Sequence, residues 1–172
     1  MCPIKTPRLS LREISTADDE FIFALMNEPA YIQYIGDRGI RTLENARAYI
    51  MDKFAASYAK FGFGLYLVEL KERPVSIGIC GLVKRDSLEH PDIGFALLRE
   101  HCSRGFAFEA ASAVLDYGFG ALELKTVLGV TLADNKSSIR LLEKLGLKFQ
   151  KMIRLPRMDR DNMLFSTEGG IA

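Results

Sequence analysis

Apolar residues along this chain change period several times, and each change marks an element. Leu9, Leu11 and Ile14 stand among polar residues and predict an opening strand. Ser15 and Asp18 have capping-box spacing, and Phe21, Ala24 and Leu25 continue at helical spacing, so a first helix should run to about Asn27-Glu28-Pro29. The stretch 31–41, with Gly36 and Gly39, reads as irregular. Thr42 should cap a second helix whose inner face carries Ala46, Tyr49, Ile50 and Phe54. Gly62 and Gly64 break it. Residues 65–70 and 75–83, joined at Glu72-Arg73-Pro74, predict a hairpin. A further strand over 93–98 leads into a helix over 104–118 that buries Ala107, Ala110, Ala111 and Val114, with Glu109, Ser112 and Asp116 opposite.

Residues 126–132 are mostly β-branched and apolar, as in a buried strand. A helix over 135–145 should close at Gly146, a left-handed C-cap, and 148–153 with 162–165 predict a last hairpin. The order β-α-α-β-β-β-α-β-α-β-β, without linker, repeat or low-complexity tract, predicts one α+β domain over residues 1–172: a sheet covered by helices.

Composition narrows the class. The 172 residues are 48% hydrophobic and 26% charged, ordinary for a globular chain with a sizeable core. A net charge of +1 gives no case for a nucleic-acid partner. No apolar run reaches the roughly 18 residues that span a bilayer, and the first five residues lack the apolar core of a secretory signal. Cys2, Cys80 and Cys102 show no metal-ligand spacing, so no metal is expected and a reduced, cytoplasmic setting is the simplest reading.

The segment from Asp92 to Phe119 carries the chemistry. A strand, a short polar turn and an amphipathic helix aim free N–H groups and a positive helix end at one point, where a phosphate fits. Small residues there let the backbone approach a pyrophosphate closely, and Gly105 meets that need. A second strand-helix unit, Val130 to Phe149, opens its helix at Asn135.

Together these segments resemble the acetyl-coenzyme A binding core of the GCN5-related N-acetyltransferase (GNAT) superfamily. The opening Thr6-Pro7-Arg8-Leu9-Ser10-Leu11-Arg12 is similar to the start of the branch that contains the ribosomal-protein N-terminal (alanine or serine) acetyltransferases. The resemblance implies a GNAT fold: a central mixed, mostly antiparallel twisted sheet of about seven strands flanked by about four helices. It implies acetyl-CoA as cosubstrate and direct transfer to a primary amine, such as a protein N-terminus, an amino acid or another small amine, by a monomer or homodimer.

The family's phosphate loop, Gln/Arg-x-x-Gly-x-Gly/Ala, falls on Cys102-Ser103-Arg104-Gly105-Phe106-Ala107; Cys102 departs from the pattern at its first position. Ala96, Leu97 and Leu98 match the positions whose backbone pairs with the pantetheine arm. Asn135 and Ser138 match the Asn-x-x-Ser of the second coenzyme helix, holding a pantetheine amide and lying near the thioester sulfur; they also suit a plain N-cap and its N3 partner.

Asp92, in Asp92-Ile93-Gly94-Phe95, matches a glutamate that takes the amine's proton, here one methylene shorter and so through water; it also suits a solvated strand-end carboxylate. The family's tyrosine acid is replaced by Leu142, which leaves the Ser138 hydroxyl to hold the thiolate. Cys102, near a helix start, should have a lowered pKa, yet would face the pyrophosphate rather than the acetyl group. Acceptor candidates are Tyr31, Tyr34 and Arg38 from the first connection, and Arg154, Arg157 and Asp159 from the last. The competing class is a non-catalytic CoA or acyl-CoA binding module on the same fold.

Overall fold

The computed structural model describes residues 4–168; Cys2 lies outside them. Its centre is an eight-stranded sheet in the order β1-β2-β3-β4-β5-β6-β8-β7. The strands are β1 (Ile4–Lys5), β2 (Leu9–Glu13), β3 (Leu65–Leu70), β4 (Ser76–Val83), β5 (Asp92–Leu97), β6 (Leu128–Leu132), β7 (Lys148–Ile153) and β8 (Asn162–Ser166). The short β1, antiparallel to β2, is the strand beyond the expected seven. Every neighbouring pair is antiparallel except β5 with β6.

Helices cover both faces. On one face lie α1 (Asp19–Met26), α2 (Pro29–Tyr34), α3 (Leu43–Tyr49) and a π-helical stretch (Ile50–Ala55); on the other lie α5 (Phe106–Gly120) and α6 (Lys136–Lys144); α4 (Ala56–Phe61) reaches both cores, through Tyr58 and Phe61. The central strands are apolar on both sides. In β3, Leu67 packs into the core under α1 and α3, whereas Tyr66 and Val68 pack under α5. In β4, Ile79 faces the first core while Cys80 and Leu82 face the second, the alternation of a doubly covered sheet, and Ile77, near the start of the strand, also joins the second core.

Two boundaries differ from the sequence expectation, and one helix keeps its expected end at Gly62 but changes type within it. Pro29 opens α2, where an irregular stretch was expected: its fixed φ and missing N–H suit the first helical turn, which it occupies. The second expected helix continues through the π-helical stretch to Phe61, and Gly62, in the left-handed region, ends it. The Ser103-Arg104-Gly105 segment belongs to the turn and not to the first turn of the helix, because Ser103 and Gly105 have φ of 60° and 80°; α5 begins only at Phe106.

Caps follow the expected chemistry. Asp18 accepts from the Ser15 N–H at 2.8 Å, Thr42 Oγ1 accepts from the Asn45 N–H at 3.0 Å, and Asn135 Oδ1 accepts from the Ser138 N–H at 3.2 Å. Gly146 follows α6 with φ 89°.

Candidate active site

The parallel pair β5 and β6 makes the site. They are in register at only two positions, Asp92 with Leu128 and Ile93 with Gly129. Past these the strands diverge. Residues 94–97 of β5 stay bonded to β4 on one side, and their other edge opens into a cleft of about 910 Å³ that Gly94, Phe95, Ala96 and Leu97 line together with Val130 and Thr131 of β6. An unpaired strand edge is a row of donors and acceptors able to take an extended polar ligand as an added strand.

At one end this edge runs to the start of α5. The first bond of that helix is from the Glu109 N–H to the Gly105 carbonyl, at 3.0 Å, so the N–H groups of Phe106, Ala107 and Phe108 remain open. No side chain caps Gly105. Cys102, Ser103, Gly105 and Ala107 line the cleft here, and a Cβ at Gly105 would meet Arg8 Nη2 at 3.3 Å. Open N–H groups, a helix dipole and small residues fit a pyrophosphate. Lys60, Arg140 and Lys144 line the same cleft. Lys144 stands 4.3 Å above the Phe108 ring, beside the first turn of α5.

The loop is braced from a distance. Arg8 Nη1 donates to the Arg104 carbonyl at 3.1 Å, Arg8 Nε pairs with Glu109 at 2.6 Å, and its guanidinium lies 4.5 Å from the Phe106 ring centre. Thr6 Oγ1 donates to the same Glu109 at 2.5 Å. Sequence reasoning singled out Thr6-Pro7-Arg8 but gave these residues no task. Their partners lie about a hundred positions away, and no local pattern points to them.

Asn135 and Ser138 reach the cleft from α6. Leu142 is 1% exposed and packs over Gly129, where an added Cβ would come within 2.7 Å of its Cδ2. Leu141 is the cleft-facing neighbour. Neither side chain can donate a proton to a thiolate.

Asp92 is not a solvated strand-end carboxylate. It is 2% exposed, and it accepts from Arg85 Nε at 2.8 Å and Nη2 at 3.3 Å. Burial raises its pKa, and the Arg85 guanidinium opposes that rise. Cys102 also departs from expectation. Its thiol lies against the Leu98 carbonyl at 3.5 Å, four residues ahead of α5, and burial together with the Glu28 carboxylate pushes its pKa up rather than down.

Tyr31, Tyr34 and Arg38 line the other end of the cleft with Tyr49 and Arg85. Burial pushes the Tyr31 hydroxyl up to about 12, Tyr49 adds to this, and Arg38 and Arg85 work against it. Six predicted site residues fall outside the lining, Arg157 and Asp159 of the last connection among them. Arg104 contributes only its carbonyl to Arg8, Phe106 is buried in the core, and the Leu98 N–H bonds the Ile77 carbonyl. Arg154 pairs with Asp161 at 2.8 Å in the last hairpin, and it is Leu155, Met158 and Asn162 of that segment that line the cleft. Among the described residues no group of three or more metal-ligating side chains occurs, and no helix is long and apolar enough to cross a membrane.

The sequence matches the Acetyltransferase (GNAT) domain family over residues 8–148. The chain belongs to that family, and it is an acetyltransferase. It is 35% identical to the uncharacterized N-acetyltransferase YoaA of Bacillus subtilis over 158 residues, 90% of this chain and 88% of the relative. A second relative, YnaD of the same organism, is 27% identical over 145 residues, 84% of this chain and 82% of the relative. Among solved structures, an acetyltransferase from Agrobacterium tumefaciens superposes with a TM-score of 0.81 at 25% identity, over 96% of this chain and 94% of that one. The ribosomal-protein S5 alanine acetyltransferase of Vibrio fischeri shares the fold, with a TM-score of 0.78 at 17% identity and 96% of each chain covered.

Proposed function

We propose that this acetyltransferase moves an acetyl group from acetyl-CoA to a primary amine by direct transfer within a ternary complex. The observation that carries the reading is the divergence of β5 from β6 after two paired positions. It leaves the edge of residues 94–97 running toward the open N–H groups of α5. That edge takes the pantetheine arm, and the start of α5, with Gly105 and Ala107, takes the pyrophosphate. The thioester then lies where the strands part, beside Ser138 and Asn135.

In this arrangement the amine nitrogen bonds to the thioester carbon, and the carbon–sulfur bond breaks. Free N–H groups of the β5 edge face the oxyanion. The Ser138 hydroxyl donates a hydrogen bond to the leaving thiolate, and Asp92, made more basic by burial, draws the amine's proton through water. Most of the acceleration comes from holding the two substrates together, since neither side chain is a strong catalyst. The ribosomal-protein acetyltransferases of the same fold support a protein or peptide N-terminus as one acceptor class.

The reading is tested by incubating the protein with acetyl-CoA and a panel of peptides, amino acids, polyamines and aminoglycosides. Free thiol is followed together with the mass of the amine product. Thiol release that depends on the amine, with acetylated amine formed one for one, supports direct transfer. Acetyl-CoA binding without turnover on any amine assigns the chain to a coenzyme-binding module instead.

A further inference from the structure

The acceptor end of the cleft has an unbalanced charge pattern. Its lining cations are Arg38, Lys53, Lys84 and Arg85, and its carboxylates are Glu28, Asp52 and Asp92. Asp92, the one buried carboxylate there, is already committed to Arg85. Glu28 Oε2 accepts from the Arg99 backbone N–H at 3.2 Å. Lys84 is held by the Leu88 and Glu89 carbonyls at 2.7 and 2.9 Å, which fix its position without neutralising it.

Arg38 is different. Its side chain lines the cleft together with Tyr31, and among the described residues no carboxylate comes within 4.0 Å of its guanidinium. The Asp37 next to it in sequence turns to Arg41, at 2.5 Å. The Tyr31 side chain is itself 7% exposed and anchored in the α1–α3 core, so it gives the guanidinium a rigid neighbour.

We propose that the acceptor amine carries a carboxylate, and that Arg38, beside Tyr31, receives it. The proposal rests on the acetyl-transfer reading above and narrows its substrate class. A guanidinium recognises a carboxylate through two parallel N–H donors. A polyamine, by contrast, needs several carboxylates, and of the three in this lining Asp92 is paired with Arg85 and Glu28 accepts from a backbone N–H, which leaves Asp52 against the cations Arg38, Lys53 and Lys84. Two sources share this chemistry: a free amino acid, whose carboxylate lies two bonds from its amine, and a peptide whose N-terminal residues include aspartate or glutamate.

The test is steady-state thiol release from acetyl-CoA with matched acceptors: amino acids against their amides, peptides beginning with an acidic residue against the same peptides with the corresponding amide, and spermidine. The expected result is that the carboxylate form exceeds its amide by about tenfold or more in kcat/KM, mainly through KM. Arg38→Gln should collapse that ratio toward one, and Arg38→Lys should restore part of it. Turnover confined to free amino acids, or to acidic peptides, identifies the source, and either supports the proposal. Amides or spermidine preferred over acids, or an unchanged ratio in Arg38→Gln, overturns it while leaving acetyl transfer standing. No turnover on any amine, with acetyl-CoA bound, overturns both.

Discussion

The Asp92 carboxylate accepts from the Arg85 side chain through both of its oxygens, at 2.8 and 3.3 Å, with Asp92 side-chain exposure of 3% and Arg85 exposure of 35%. This pair sits where β5 and β6 are still joined, one residue before they part. It therefore ties the charge of the acceptor end to the strand that flanks the thioester.

Replacing Asp92 by Asn should lower turnover by about 10²-fold or less, the low end for a general base working through water, and leave acetyl-CoA affinity nearly intact. Burial lifts the Asp92 pKa above the ordinary 3.8, so wild-type kcat/KM should fall on acidification at a pH above that value. In Asp92→Asn that limb should disappear. A pH profile on the best amine, run beside a coenzyme titration, separates this from simple repositioning of Arg85, which would shift KM and keep the limb.

Gly105 occupies φ 80°, at the mouth of the phosphate cradle. Gly105→Glu forces a side chain at positive φ whose Cβ would meet Arg8 Nη2 at 3.3 Å. This disturbs the brace of the phosphate loop and costs about 1–2 kcal/mol of backbone strain, which the fold should survive. Wild type at 100 times its dissociation constant for acetyl-CoA should gain about 2.7 kcal/mol, visible as a thermal shift. The variant should show none at the same concentration, while its circular dichroism remains that of the wild type.

Arg8 touches the coenzyme loop only from behind, through the Arg104 carbonyl and the Phe106 ring. Arg8→Ala should weaken acetyl-CoA binding by about tenfold, the worth of one charge-assisted hydrogen bond, with kcat at saturating coenzyme nearly unchanged. Titration calorimetry and saturating kinetics read the two halves of that statement.

Glu109, held by Thr6 and Arg8, has a pKa below its usual 4.5. A depressed carboxylate stabilises the fold above its unfolded value and loses that contribution as pH falls through the folded one. Glu109→Gln should therefore be less stable than wild type near neutrality, and the gap should shrink below about pH 4.5. Urea unfolding at several pH values shows the convergence, or its absence.

Ser138 lies at the third position of α6, 9% exposed and facing the cleft. Ser138→Ala should reduce kcat by roughly tenfold or less, because it removes a hydrogen-bond donor and not a strong acid. Dissociation constants for acetyl-CoA should stay within a factor of two or so of wild type. An unchanged kcat would remove this hydroxyl from the transfer step.

What could be read from the sequence was what short-range physics decides. Gly105, Asn135 and Ser138 were legible because turn, cap and dipole chemistry act over a few residues. The order of strands followed from their apolar runs. Helix α2 was hidden because Pro29 reads equally as a stop and as a first-turn residue. The π-helical stretch was hidden because the spacing of Ala46, Ile50 and Phe54 suits a continuous helix. Arg8 with Glu109, Arg85 with Asp92, and the contact of Lys144 with Phe108 depend on which elements meet in space. Arg154 was misplaced for a related reason: hairpin loops are easy to recognise, but the direction a loop side chain takes is set by its partner, here Asp161.

The most direct test of acetyl transfer at the β5–β6 opening is amine-dependent thiol release from acetyl-CoA, measured side by side in wild type and Gly105→Glu. The account predicts release that rises and saturates with amine in the wild type and falls to the uncatalysed rate in the variant. Equal release from both proteins, or none from wild type on any amine while acetyl-CoA is bound, would contradict it.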